Sequence, residues 1–322
     1  MDKALSFDDV LLVPMRSDIY SRKDISISTE LFSGYSLRIP IISANMPSVT
    51  GPKLAVKMWN LGGLSILHRF NTVYEAVREY SFVKSYGAFC GVSLGVGDDT
   101  DERMDRLYEA GARFFCLDVA HGHHDRVVEK LNKYKSMYLG VSFIAGNVAT
   151  YLGCYDLAEA GADAIKIGIG PGAACTTREV TGFGVPQVSA IMECSLVKKD
   201  FPEVRLIADG GIKNSGDIVK ALAFGADSVM VGRLLAGVDE APFPGEYFGN
   251  ASSKVRDYRA PEGVHGTIER SGSLEDVIKN LTWGIKSGLS YAGCNSIYDL
   301  HETDIDYVIT SSQSMLETRT RI

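Results

Sequence analysis

Eight short runs of apolar and β-branched residues follow one another along the chain and restrict its fold more than any other feature. Runs of this kind are typical of strands that are buried on both faces, as in parallel sheets. They lie at 39–46, 63–68, 90–96, 113–120, 141–148, 165–168, 204–211 and 228–233. The segments between them, such as 53–59 and 217–222, repeat apolar residues at helical spacing. Strands that alternate with helices predict an α/β protein with a parallel sheet.

A short internal repeat supports eight equivalent units. The sequences EAGAR, EAGAD and AFGAD, which begin at Glu109, Glu159 and Ala223, each place a glycine between a predicted helix and the next strand. Eight such units predict a (β/α)8 TIM barrel. The alternative is a doubly wound open sheet, which has fewer strands and carries its glycine fingerprint after the first of them.

Polar residues come at or just after the ends of many of these strands. In a (β/α)8 barrel the carboxyl ends of the strands form the face on which chemistry takes place. Glycines and a cation after the seventh and eighth strands, Gly210, Gly211 and Arg233, occupy the usual phosphate position of such barrels. The full set of polar residues expected at this face is Asn45, His68, Asp118, His121, Asn147, Cys175, Asp209 and Arg233.

A glycine-rich loop follows the sixth strand and presents a cysteine and two threonines, Cys175, Thr176 and Thr177. A dinucleotide fingerprint would need a third glycine where Cys175 stands, and a P-loop would need Lys-Ser or Lys-Thr after the glycines. Buried cysteines are often only small packing residues. The loop instead predicts an active site in which Cys175 is the nucleophile, and the other five cysteines are expected to pack in the core.

Composition excludes several classes of protein. A net charge of −7 argues against a nucleic-acid surface, which needs a basic face. The longest apolar runs fall well short of a membrane span, and the N-terminus lacks the apolar stretch of a signal peptide, so we expect a cytoplasmic enzyme. The six cysteines form no C-x-x-C pair, so neither a disulfide framework nor a zinc site is indicated.

Six spaced motifs resemble the IMP dehydrogenase/GMP reductase family, and the resemblance runs nearly end to end. The motifs are FDDVLLVP at 7–14, SANM at 43–46, AGNV at 145–148, GIGPGAACTT at 168–177, ADGG at 208–211 and YFG at 247–249. The resemblance implies purine nucleotide redox chemistry on a barrel. It also implies a single domain over 1–322, with an N-terminal arm at about 1–36 and a C-terminal extension at about 287–322.

The branch of the family is indicated by two missing segments. Dehydrogenases of this family usually carry CBS modules after the second strand and a long flap with an Arg-Tyr pair, which supplies the base for hydrolysis. Here only the link 252–262 stands at the flap position, and its Arg256 and Tyr258 lie on a segment too short to move as a separate element. The resemblance therefore favours GMP reductase. IMP dehydrogenase remains an alternative, supported by the stretches at 184–187, 216–222 and 260–264, and a non-catalytic nucleotide-binding barrel is the third.

The resemblance implies a mechanism in which Cys175 attacks C2 of GMP and forms a thioimidate. Thr177 and Glu262 relay a proton to the leaving ammonia, and NADPH then delivers hydride to give IMP. The implied substrate-binding residues are Met46, Asp209, Gly210, Gly211, Gly232, Arg233, Tyr247, Gly249, Asn250, Ala251, Arg259 and Gly263. Ala173 stands where the family often has a serine that reaches the phosphate, and Arg233 is expected to restore that affinity.

The resemblance also implies a cofactor site, a cation and an assembly. The implied cofactor-binding residues are Arg69, Asp118, Val119, Ala120 and Gly168, together with Ser287 and Ser290, which would complete the site of a neighbouring subunit. A potassium ion is implied at the backbone carbonyls of Gly170, Gly172 and Cys175. The expected assembly is a homotetramer.

Overall fold

The structure is a computed structural model that describes residues 3–255 and 259–311. Its strands are β1 Val10–Leu12, β2 Thr29–Phe32, β3 Tyr35–Leu37, β4 Ile41–Ser43, β5 Leu64–Leu67, β6 Gly91–Leu94, β7 Phe114–Asp118, β8 Ser142–Val148, β9 Ala164–Ile167, β10 Arg205–Asp209, β11 Ser228–Val231, β12 Glu246–Phe248, β13 His265–Thr267 and β14 Tyr307–Ile309. Its helices are α1 Pro52–Leu61, α2 Val73–Ser85, α3 Thr100–Glu109, α4 Asp125–Met137, α5 Tyr151–Glu159, α6 Thr177–Thr181, α7 Gln187–Ser195, α8 Ser215–Ala223, α9 Arg233–Ala236, α10 Leu274–Ala292 and α11 Ile297–Glu302.

Strands β4 to β11 pair in parallel and in chain order, and β11 pairs with β4 to close the barrel. Six of them, β4, β5, β6, β7, β9 and β11, are buried at every residue. Side chains fill the interior and helices cover the outside, so each strand is apolar on both faces, as the eight runs predicted. The predicted (β/α)8 TIM barrel is confirmed.

The glycine of each internal repeat ends a helix as predicted. Gly111, Gly161 and Gly225 follow α3, α5 and α8, and each has a φ between +95° and +109°. A side chain is strained in this left-handed conformation, so glycine is favoured where the chain turns from helix to strand.

The N-terminal arm is not extended throughout, because Phe7–Asp9 forms a 3₁₀ turn. The carboxylate of Asp9 accepts hydrogen bonds from the N–H and hydroxyl of Ser6, at 2.7 and 2.6 Å, and these bonds stabilise the turn. Strand β1 then pairs antiparallel with β14 near the other end of the chain. The predicted boundaries of arm and extension, 1–36 and 287–322, stay predictions.

Contacts of the turn bring it to the carboxyl end of the barrel. The Lys220 ammonium donates to the Phe7 carbonyl at 2.8 Å, and Lys213 forms a salt bridge with Asp8 at 2.5 Å. Among the described residues, no helix is both long and apolar enough to cross a bilayer.

Candidate active site

One cavity of about 1010 Å³ opens at the carboxyl ends of the barrel strands. A volume of this size suits a nucleotide together with a second small molecule. Most of the residues named from the sequence line it: Met46, Asp209, Gly210, Gly211, Gly232, Arg233, Tyr247, Gly249, Asn250, Ala251, Gly263, Arg69, Asp118, Val119, Ala120, Gly168, Gly170, Gly172, Cys175, Thr177 and Glu262. Residues from widely separated parts of the chain therefore meet at one place.

The loop that carries Cys175 leaves β9 through a close contact with the next strand. Gly168 has a φ of +146°, and a Cβ built on it would lie 2.1 Å from the backbone oxygen of Asp209. Only glycine lets the two backbones approach so closely. Cys175 is partly exposed, whereas the other five cysteines are buried as expected.

Cys175, Thr177 and Glu262 form a hydrogen-bonded chain. The thiol of Cys175 lies 3.2 Å from the Thr177 hydroxyl, which donates to a Glu262 carboxylate oxygen at 2.7 Å. Distances of this order allow a proton to pass from sulfur to carboxylate and back. A nucleophile next to a group that can take its proton is the usual arrangement for covalent catalysis.

Backbone hydrogen bonds hold Glu262 against the cysteine loop. The N–H of Thr176 donates to the Glu262 carbonyl at 2.9 Å, and the N–H of Val264 donates to the Ala174 carbonyl at 3.0 Å. Ser252 pairs with Gly263 as well, so the link 252–262 begins and ends at the same place. The carboxylate is thus fixed by the backbone as well as by its side-chain contact. Arg256 and Tyr258 lie outside the described residues.

A second part of the cavity gathers around the loops after β10 and β11. Gly210 and Gly211 have left-handed φ values of +95° and +81°. Arg233 is exposed and has no hydrogen bond or salt bridge within the described parts of the chain. Burial raises the pKa of the Tyr247 hydroxyl, which therefore stays protonated and able to donate. Backbone N–H groups, a free guanidinium and a hydroxyl donor are the groups that bind a phosphate.

The wall between these two parts contains Asn250. Its side-chain amide donates to the Asn45 carbonyl at 3.3 Å, and Asn45 donates to the Ser93 hydroxyl at 2.9 Å. Gly249 lies against the cysteine loop, since a Cβ there would be 2.9 Å from the Ala174 carbonyl oxygen. This wall therefore fixes the width of the cavity beside Cys175.

The third part of the cavity lies beyond Cys175, around the ends of β5 and β7. The guanidinium of Arg69 donates to the Asp118 carbonyl at 3.0 Å and lies over the ring of Phe70. Val119 and Ala120 add a small apolar surface next to it. An apolar wall with a carboxylate and a cation at its edge is chemically suited to a planar ring that carries a ribose.

Three more polar residues line the cavity, and of these only Asn147 was named from the sequence, as a residue of this face. Lys166 lies inside the barrel and forms salt bridges with both Asp118 and Asp209. The Asn147 amide donates to Asp209 at 3.0 Å and to the Gly168 carbonyl at 2.8 Å, and Gln187 donates to the carbonyls of Ile167 and Asp209. The sequence signal for Lys166 was a lysine within an otherwise apolar strand.

Several of the residues named from the sequence lie elsewhere. Arg259 is exposed and does not line the cavity. His68 and His121 also stay outside it, and burial lowers the pKa of His68 to about 4, so its ring is neutral. Ser287 and Ser290 lie on the outer helix α10, where the Ser290 hydroxyl donates to the Ser287 carbonyl. Their part in a neighbouring subunit's site stays a prediction.

The potassium site also stays a prediction. The carbonyl of Gly172 accepts the N–H of Cys175 at 3.0 Å, which leaves that oxygen one lone pair for a cation. Within residues 3–255 and 259–311 no cluster of three or more His, Cys, Asp or Glu side chains could hold a metal ion.

Comparison with known proteins identifies the family. Residues 4–321 match the family described as IMP dehydrogenase / GMP reductase domain. Similar proteins include the inosine-5'-monophosphate dehydrogenases of Borreliella burgdorferi, 33% identical over 98% of this chain and 96% of the relative, and of Cryptosporidium parvum, 35% identical over 96% and 93%. That of Aquifex aeolicus is 44% identical over 93% and 92%. The chain therefore belongs to the IMP dehydrogenase/GMP reductase family of purine nucleotide oxidoreductases, which use a nicotinamide cofactor.

Proposed function

We propose that this protein reduces GMP to IMP and ammonia with NADPH, through a covalent bond between Cys175 and C2 of the purine. The observation that carries the proposal is the chain Cys175–Thr177–Glu262, with its contacts of 3.2 and 2.7 Å. It places a nucleophile and a proton relay on one wall of a nucleotide-sized cavity.

In the first step, the sulfur of Cys175 bonds to C2 of GMP and the thiol proton passes through Thr177 to Glu262. The bond between C2 and the exocyclic nitrogen then breaks, and the same relay returns the proton to that nitrogen. The amino group leaves as ammonia, and a thioimidate remains on Cys175. A threonine hydroxyl is too weak an acid to act alone at neutral pH, so the Glu262 carboxyl supplies the proton.

When bound, the nicotinamide cofactor supplies a hydride to C2. The bond between C2 and sulfur then breaks, Cys175 leaves as a thiolate, and IMP is formed. Arg69, Asp118, Val119 and Ala120 hold the cofactor in this proposal. They would bind and orient it within the same cavity as Cys175.

The nucleotide is held at its other end by the loops after β10 and β11. Asp209 accepts hydrogen bonds from the ribose hydroxyls, and Gly211, Gly232 and Tyr247 contact the phosphate. Arg233 supplies the charge that offsets the missing hydroxyl at Ala173. Because Arg233 has no hydrogen bond or salt bridge to another described residue, its whole charge is available to the phosphate.

The direction of the reaction is proposed from the link 252–262. A dehydrogenase must bring water and a base to the thioimidate after the oxidised cofactor leaves. The contact between Ser252 and Gly263 brings the two ends of this link together. A reductase has no hydrolytic step, so a short link is sufficient for it.

IMP dehydrogenase, which oxidises IMP to xanthosine monophosphate with NAD, is the second candidate because the relatives reported above carry that name. Those relatives also contain residues with no counterpart here. The match to the Borreliella burgdorferi protein extends over 392 positions, more than the 322 residues of this chain. Were this chain a dehydrogenase, the pair Thr177 and Glu262 would have to activate water.

The test is a comparison of the two directions on the same preparation. The protein is incubated with GMP plus NADPH and, separately, with IMP plus NAD, and the absorbance of the reduced nicotinamide is followed. We expect NADPH consumption with GMP and little or no NADH formation with IMP. Repeating the first reaction with NADH measures the cofactor preference. Faster turnover of IMP would overturn the reductase assignment.

A potassium requirement and a homotetramer in the cytoplasm complete the proposal. Replacing potassium by sodium in the assay is expected to lower the rate, and light scattering is expected to give four times the mass of the chain.

A further inference from the structure

Lys166 is the lysine of β9. It lies inside the barrel, and only 1% of its surface is exposed. Its ammonium lies 2.7 Å from an Asp118 oxygen and 3.1 Å from an Asp209 oxygen. These carboxylates are on the last residues of different strands, β7 and β10, and line different parts of the cavity. One buried cation therefore bridges the two parts.

Opposing effects act on the pKa of the charged groups in this cluster. Burial lowers the pKa of Lys166, but the carboxylates of Asp118 and Asp209 outweigh that effect and raise it above its ordinary value. Burial raises the pKa of Asp118, but the charges of Lys166 and Arg69 outweigh it and hold that pKa below its ordinary value.

Around these three groups lie neutral donors and a thiol. The Asn147 amide donates to Asp209 at 3.0 Å, and the nearby Asn45 amide helps to lower the pKa of Asp118. Burial raises the pKa of the Cys116 thiol to about 12, which keeps it neutral. Lys166 is thus the cation that directly contacts both carboxylates.

We propose that Lys166 is a positioning residue that joins the nucleotide and cofactor halves of the site. Resting on the proposed function, its salt bridges hold the carboxylate of Asp209 in place for the ribose hydroxyls and that of Asp118 in place for the cofactor. A single substitution at Lys166 should therefore weaken the binding of both ligands, although Lys166 contacts neither.

If Lys166 acts through its charge, its removal should change how ligand binding depends on pH. The removal of a lysine with only a structural role should not have this effect. In Lys166→Met, two neighbouring carboxylates lose their shared cation, and like charges so close together raise the apparent pKa of the pair. A proton shared by the pair then competes with the ribose hydroxyls for the carboxylate. Nucleotide affinity should therefore increase as the pH rises and this proton leaves.

The test measures the binding of GMP and of NADPH separately by calorimetry, from pH 6.5 to pH 9. At pH 7 we expect Lys166→Met to bind each ligand about tenfold or more weakly than the wild type, as for the loss of a charge-assisted contact. The ratio of variant to wild-type dissociation constants for GMP should fall as the pH rises. Using the ratio cancels the titration of the nucleotide itself.

A double variant isolates the role of charge. Lys166→Met with Asp118→Asn has the same net charge as the wild type at this cluster and leaves Asp209 without a carboxylate neighbour. We expect GMP affinity within a few-fold of wild type, and a ratio of variant to wild-type dissociation constants for GMP that does not change with pH. NADPH binding should stay weak. If the single variant does not fold, the GMP affinity of this double variant and the pH dependence of that affinity still test the role of the charge.

Lys198→Met is the matched control. Lys198 forms a partly buried salt bridge with Asp227 at 2.9 Å, and Asp227 precedes β11 at the opposite end of the barrel. It should bind both ligands as the wild type does.

Three results would overturn the inference. The first is a folded Lys166→Met protein with wild-type affinities. The second is a ratio of variant to wild-type dissociation constants that does not change with pH in that variant. The third is a double variant that does not recover GMP binding. Failure of the wild type to bind GMP or IMP would overturn the proposed function as well.

Discussion

At the scale of single residues, the proposed reaction needs the thiol of Cys175 as its nucleophile. A hydroxyl in place of the thiol keeps the shape of the site but is a far weaker nucleophile, because it does not ionise near neutral pH. Cys175→Ser should therefore lose turnover by at least a thousandfold and bind GMP within a few-fold of wild type. Steady-state rates and calorimetry check both parts. A variant that retains a tenth of the activity would show that Cys175 is not the nucleophile.

Glu262 is predicted to act in the release of ammonia. Glu262→Gln keeps the size of the side chain and its contact with Thr177 but cannot carry the proton. We expect the rate of ammonia release in a single turnover to fall by a factor of about 100 or more, as for the loss of a general acid. GMP binding should change little. Unchanged ammonia release would remove Glu262 from the mechanism.

At the scale of elements, the contact between β9 and β10 positions the cysteine loop. Gly168→Ala would place a methyl group 2.1 Å from the Asp209 carbonyl oxygen, so the strand end has to move and Cys175 with it. We expect loss of nearly all activity. The matched control is Gly140→Ala, which also has a positive φ, +68°, but no atom within 4 Å of the new methyl group.

The control should lose about 1 kcal/mol of stability from backbone strain alone and keep its activity. Thermal unfolding and steady-state rates distinguish the two variants. Equal activities of Gly168→Ala and Gly140→Ala would mean that the close approach does not position Cys175.

Helices α3 and α4 are joined by the carboxylate of Asp101. It accepts from Lys130 at 2.7 Å, Tyr134 at 2.6 Å and Lys133 at 2.9 Å, and these bonds hold the pKa of Asp101 well below its ordinary value. Asp101→Asn should lower the free energy of unfolding at pH 7 by about 1 kcal/mol, a modest figure because the carboxylate is partly exposed.

The pH dependence of this effect has a defined sign. A carboxylate whose folded pKa is depressed contributes stability that is present above its unfolded value of 3.8 and is lost as the pH falls further. The difference between wild type and Asp101→Asn should therefore be full at pH 7 and shrink below pH 4. Asp98→Asn, an exposed neighbour, is the control and should show no difference at either pH. Urea unfolding at several pH values measures both.

At the scale of the whole molecule, the barrel was predictable because burial on both faces leaves a strong apolar signal in every strand. Six of the eight polar residues expected at the strand ends line the cavity, since parallel strands bring their carboxyl ends to one face, whereas His68 and His121 do not. Cys175 was found from its loop alone. The position of Glu262 was implied only by the resemblance, because it reaches the site through the contacts of a loop that has no strand pattern.

Other features could not be read from spacing. The role of Lys166 needs the order of β7, β9 and β10 in space, which fixes its two partners. The turn at Phe7–Asp9 depends on hydrogen bonds within four residues that compete with extended structure. The resemblance implied that Arg259 binds the substrate, yet Arg259 is exposed and does not line the cavity.

The central claim is that hydride arrives at C2 of a purine from which ammonia has left. It is tested most directly with GMP and NADPH deuterated at the transferred position, followed by mass spectrometry of the nucleotide product. The account predicts IMP that carries one deuterium at C2, with one ammonia released for each NADPH oxidised. IMP without deuterium, or xanthosine monophosphate formed from IMP and NAD faster than GMP is reduced, would contradict it.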